Sequence, residues 1–186
     1  RKAKPVATVA ALKVESKDTH SGHNQGATPT TLTETKPVEA KQDLNQVQAI
    51  YDNYFAVKDA LVKTDAKIAA EKATALLASL NGIDMAKMKM DVHMAFMKAK
   101  KALKADAALI STTKDVAAQR DAFSNLSTNM VAFIKVTKAS TPVYLQHCPM
   151  ANDGKGADWL SKENVVKNPY YGSMMLGCGK VTETIK

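Results

Sequence analysis

Between Asp43 and Lys138 the apolar residues recur in steps of three and four, and this period constrains the fold more than any other feature of the chain. Leu44, Val47, Ile50, Tyr51, Tyr54, Val57 and Leu61 share one helical face. Thr64-Asp65 is an N-cap signal that restarts the chain, and Ile68, Ala73, Leu76, Leu77 and Leu80 follow before Asn81-Gly82 stops it. The spacing predicts a third helix from about Asp84 to about Leu109. A fourth starts at "TTKD", where Thr112 and Asp115 fit a capping box, and runs through Val116, Phe123, Leu126, Met130, Phe133 and Ile134 to about Lys138. Four amphipathic helices with short links predict an all-α, up-down-up-down four-helix bundle.

The two flanks lack this period. Residues 1–42 are rich in Thr, Lys, Glu, Pro and Gly, and their few apolar residues are irregularly placed. Such a stretch buries too little apolar surface to offset the entropy of ordering it, so it reads as a disordered tether to a domain spanning 43–186. His20 and His23 in it read as solvated histidines, with transient metal contact as the alternative. At the other flank Thr141-Pro142 ends the helical part. Residues 141–186 hold the only Trp, three of the five Tyr, both Cys and five of the eight Gly. They are too polar and glycine-rich for a fifth long helix, and read as an ordered but irregular C-terminal cap anchored by Tyr144, Trp159, Tyr170 and Tyr171.

The chemistry concentrates in this cap. Cys148 and Met150 flank Pro149, which fixes a turn. Met174, Met175 and Cys178 fall at i, i+1 and i+4. Brought together, the two segments would offer two thiols and up to three thioethers, soft donors that select Cu(I) and similar ions over Mg²⁺ or Ca²⁺. Thioethers do not titrate and bind without releasing a proton. The same residues read equally well as a Cys148–Cys178 disulfide among packing methionines. That disulfide would close a loop of about 30 residues and contribute roughly 3–4 kcal/mol in the chain-entropy model. A catalytic cysteine is not expected: His147 adjoins Cys148 in sequence, neighbours point apart, and no acid–base set stands out. The chain is not read as an enzyme.

The third helix adds a second concentration of sulfur. "DMAKMKMDVHMAFMKAKKALKA" holds five of the nine methionines. Met85, Met88, Val92, Phe96, Ala99 and Leu103 form its core stripe. Met90, Met94 and Met97 lie on nearly the opposite side, with His93 at their edge and Lys101 and Lys104 beyond. They read as an apolar floor for the cap or as further metal ligands, and either reading expects the cap to dock near His93. A haem-binding bundle with His93 and a methionine as axial ligands is a weaker third use, and it would give a coloured protein.

Several classes are excluded as leading readings. The formal charge is +8, but Lys is spread along the helices and aromatics make up only 5% of residues, so nucleic acid is not an expected partner. No apolar run reaches the roughly 20 residues of a membrane span. Position 1 is Arg rather than Met, which fits an upstream segment that has been removed.

The cap segments "HCPMANDGKGADWLS" and "NPYYGSMMLGCG", with "ETI" near the end, resemble a bacterial domain family of unassigned biochemical function. "HMAFM" at 93–97 and "QRDAFSNLS" at 119–127 are similar to its helical part. That family occurs as small exported proteins and as the C-terminal domain of periplasmic adaptor subunits of copper/silver efflux pumps. The resemblance spans about residues 43–186 and implies an exported four-helix domain, periplasmic or tethered to the outer membrane as a lipoprotein, with a part in copper or silver handling. Carried over by position, Cys148, Met150, Met175 and Cys178 are the primary metal ligands, with His93 and Met174 next. The chain lacks the β-rich remainder of a pump adaptor. The expected function is therefore binding of Cu(I), with Ag(I) as a second ion, as a chaperone, buffer or sensor for an efflux pump or envelope partner. The alternative is a metal-free interaction module stapled by the disulfide.

Overall fold

The computed structural model describes residues 36–186, with side chains from Gln46 onward. Most of the expected tether, with His20 and His23, lies outside the described residues. The first helix, α1, already begins at Lys36 and runs to Val62. It is followed by α2 (Ala66–Asn81), α3 (Met90–Thr112) and α4 (Val116–Thr137). Consecutive helices pack on one another. The expected apolar stripes form the core: Ile50, Tyr54, Leu76, Phe96, Leu103, Phe123 and Phe133 are all buried.

The ends of the helices follow local chemistry. Asp65 caps α2 by accepting the N–H of Ile68 at 2.9 Å. The third helix differs from its expected bounds: Asp84 caps a short 3-10 turn, Met85–Lys87, and Lys89 is extended, so α3 starts only at Met90. The capping box at "TTKD" is also corrected. Asp115 alone caps α4, through the N–H of Ala117, while Thr112 closes α3 with its hydroxyl on Ala108 O.

The larger correction concerns the cap. It is not irregular but carries a three-stranded antiparallel sheet in the order β2-β1-β3. The strands are β1 (Val143–Cys148), β2 (Ala157–Ser161) and β3 (Lys180–Ile185). "VYLQHC", "ADWLS" and "KVTETI" are short and rich in β-branched or aromatic residues, which suit a half-buried pleated surface. The molecule is thus mostly helical, with a small sheet. β2 packs on α4 and over its seam with α1. There the Leu160 N–H donates to the Tyr54 hydroxyl at 3.1 Å, and that hydroxyl also bonds Ser127 at 2.7 Å. The Tyr54 ring stacks on Phe123 with centroids 5.3 Å apart.

Trp159 and Tyr170 are buried and meet edge-on at 5.8 Å, and Tyr170 also packs on Phe123 at 5.9 Å. These are two of the four anchors expected from the sequence; Tyr144 on β1 is half-buried. Tyr171 is half-buried and donates its hydroxyl to Met150 O at 2.6 Å, tying the two cap segments to each other.

Candidate metal centre

The two cysteines come from opposite ends of the sheet's connections. Cys148 is the last residue of β1 and wholly buried, while Cys178 is half-buried just before β3. Both are free thiols, and their sulfurs lie 2.8 Å apart. The convergence of the two cap segments, on which any shared site depends, is therefore present.

Buried polar side chains impose it. Asn168 is wholly buried and donates its amide to Cys178 O at 2.8 Å. Its carbonyl oxygen accepts the N–H groups of Tyr170 and Tyr171 at 2.8 and 3.2 Å. One side chain thus folds the whole 168–178 segment back on itself. Gln146, also buried, holds the turn after β2 by donating to Glu163 O at 2.9 Å. Arg120 of α4 reaches Pro169 O, Leu61 O and the Thr64 hydroxyl at 2.9, 3.2 and 3.0 Å, so it joins the cap to the α1–α2 corner. Gly179 brings the segment home: a Cβ there would stand 2.7 Å from His147 O, and its φ of +130° is open chiefly to glycine. None of Arg120, Gln146 and Asn168 was singled out from the sequence. Their only signal is a polar residue at an apolar position of a helix or strand, and beside a proline in the last case.

The electrostatics favour a proton on Cys178. The Cys178 thiol is pushed up, first by its hydrogen bond with Cys148, then by desolvation and by the Cys148 charge. The Met150 backbone N–H opposes this, which places the Met150 turn against the Cys178 sulfur. On the other side the Met175 carbonyl accepts the Cys178 N–H at 3.0 Å, and the side chains of Met150, Met174 and Met175 are exposed. His147, by contrast, alternates to the other face of β1 and bonds Asp158 at 2.8 Å through Nδ1. It does not join the sulfurs.

His93 does not join them either. Ala95 and Ala99 of α3 line a cavity with Asn129, Phe133 and Val136 of α4, so His93 stands level with the C-terminal end of α4. The cysteine segments stand instead against Ala117, Arg120 and Asp121 at its N-terminal end. At 1.5 Å per residue the two places are roughly 25 Å apart. The expectation that the cap docks near His93, with Met90, Met94 and Met97 as its floor, is thereby corrected: the cap packs on α4, and those methionines are exposed. Cys148, Met150, Met174, Met175 and Cys178 are brought into one region; His93 is separate.

Two thiolates on one ion at roughly 2.3 Å each sit about 3.5–4 Å apart, so an ion enters this pair only if the sulfurs open by about 1 Å. Cys178 is the one placed to give way, between Gly177, which has open space around it, and Gly179. Among the described residues no group of three or more His, Cys, Asp or Glu could hold a metal, so any cap site draws on thioethers beside its two thiols.

Fold and site define a helical-bundle protein whose small sheet brings a dithiol together beside exposed methionines. The model of a family described as "Protein of unknown function (DUF3347)" matches residues 50–142, half of the chain, and the chain belongs to that family. The match covers the bundle and stops at Pro142, immediately before β1. No curated protein and no solved structure matches the chain.

Proposed function

We propose that this chain is an exported, non-catalytic protein that captures Cu(I), and Ag(I) by the same chemistry, between Cys148 and Cys178. Thioethers of Met150 and Met175, with Met174 beside them, complete the ligand set. The observation that carries this reading is the contact of the two thiols, one buried and one half-buried, between the backbones of Met150 and Met175, whose side chains are exposed. Soft, weakly hydrated donors at a partly open site suit a monovalent soft ion and its transfer to another protein. The cap motifs' resemblance to the adaptor-associated domain family supports a periplasmic or outer-membrane-tethered place as chaperone, buffer or sensor for an efflux pump.

The test is an anaerobic Cu(I) competition titration of reduced protein against a chromogenic chelator. One equivalent should bind, and both Cys148→Ser and Met175→Leu should weaken it, the cysteine variant by more than 100-fold. Binding must displace thiol protons, so affinity should rise with pH, by up to about 100-fold per unit while both thiols are protonated. A wild-type protein that never competes sinks the proposal.

The same 2.8 Å contact supports a second reading, in which the pair is oxidised and staples a protein-docking surface. Mass spectrometry of protein from its native compartment separates the two. A pair fully oxidised and resistant to glutathione favours the staple.

A further inference from the structure

α3 carries three methionines that the fold leaves in solvent. Met90, Met94 and Met97 are 73%, 62% and 51% exposed, although burying such a side chain is worth about 1.5–3 kcal/mol. The core accounts for Val92, Phe96, Ala99 and Leu103 on the other face, and the cap lies against α4. At about 100° per residue, Met90, His93, Met94 and Met97 fall within an arc of about 100°. Their spacing of i, i+3, i+4 and i+7 makes each a neighbour of two others, with Cβ atoms about 5–6 Å apart. The His93 ring is half-buried and, among the described residues, makes no hydrogen bond or ion pair.

The donor set has a definite selectivity. Three thioethers and one imidazole ligate as neutral donors, and none of the four is a carboxylate. Lys98 and Lys101 stand within one or two turns. Such surroundings disfavour a doubly charged ion, the nearby Asp91 carboxylate being engaged by the Val92 N–H at 2.8 Å, while a soft monovalent ion is bound by polarisable sulfur.

We propose that Met90, His93, Met94 and Met97 form a second soft-metal site, taking one Cu(I) or Ag(I) ion on the face of α3. It is independent of the thiol pair, which lies roughly 25 Å away along α4. Thioethers are not lost when the thiols are oxidised, so this site still binds when Cys148 and Cys178 are joined.

Silver nitrate in chloride-free buffer is the probe, with methionine methyl groups labelled for NMR. In the Cys148→Ser/Cys178→Ser chain, the first equivalent should shift the methyls of Met90, Met94 and Met97 and leave Met85, Met88 and Met130 in place. Adding Met94→Leu or His93→Ala should weaken that binding at least tenfold. Should the double serine variant not fold, Met94→Leu in the otherwise wild-type reduced chain gives the answer: stoichiometry should fall by one ion while the cap methyls still respond. Those three methyls staying unmoved at millimolar silver, or the Met90 and Met97 methyls shifting equally well in Met94→Leu, would overturn the proposal. Loss of the cap response alone would count against the cysteine site and leave this one standing.

Discussion

The cap and α3 both present sulfur, and the structure secures it by opposite means. In the cap, thiols 30 residues apart in sequence are brought into contact by Asn168, Gln146 and Arg120, with the bundle as backstop. On α3, the donors ride on successive turns of one helix, and their relative positions follow from the helical repeat alone. A site of the first kind depends on tertiary structure and is disturbed from a distance. A site of the second kind depends on local backbone and is disturbed mainly at its own residues.

The sharpest break in that comparison is Asn168→Ala. It strands one buried and one partly buried N–H and a partly buried carbonyl that its side chain now satisfies, and should cost about 3 kcal/mol. Urea unfolding should show that loss, with copper binding at the cysteines impaired and silver binding on α3 retained. Next is Tyr54→Phe, which takes one shared partner from Ser127 and Leu160 and should cost about 1–3 kcal/mol. Burial drives the Tyr54 phenol well above its ordinary range, so its hydroxyl remains a donor to about the alkaline limit of folding, and the effect of Tyr54→Phe should be flat across neutral pH. The smallest effect on stability belongs to Met94→Leu. An exposed apolar swap should change the free energy of unfolding by no more than about 0.5 kcal/mol while it alters silver binding.

The bundle was legible because a helical stripe is a local signal repeated many times. Ile50, Tyr54, Leu76, Phe96, Phe123 and Phe133 each confirm the same period. The sheet was not, because five- and six-residue strands give few alternations, and β1 breaks its own: Leu145 and Gln146 are both buried, where the pairing with β3 shifts register. The nearness of Cys148 and Cys178 could be entertained from residue types, but the contacts that enforce it cross between elements far apart in sequence. His93 was assigned to the cap because residue type carries no distance. Its type fits a soft-metal site, whereas its level along α4 separates it from the thiols.

Trp159 is the only tryptophan in the chain. It is buried against Tyr170, and a Cβ on Gly179, the residue after Cys178, would stand 3.0 Å from its ring. The protein's red-edge fluorescence therefore comes from one place, within a residue or two of the thiol pair, with no background from the bundle. Opening of the sulfurs, their oxidation, or the arrival of a heavy soft ion each perturbs that single emitter. The molecule carries its own optical gauge of the cap, readable without a label, while events on α3 pass beneath its notice.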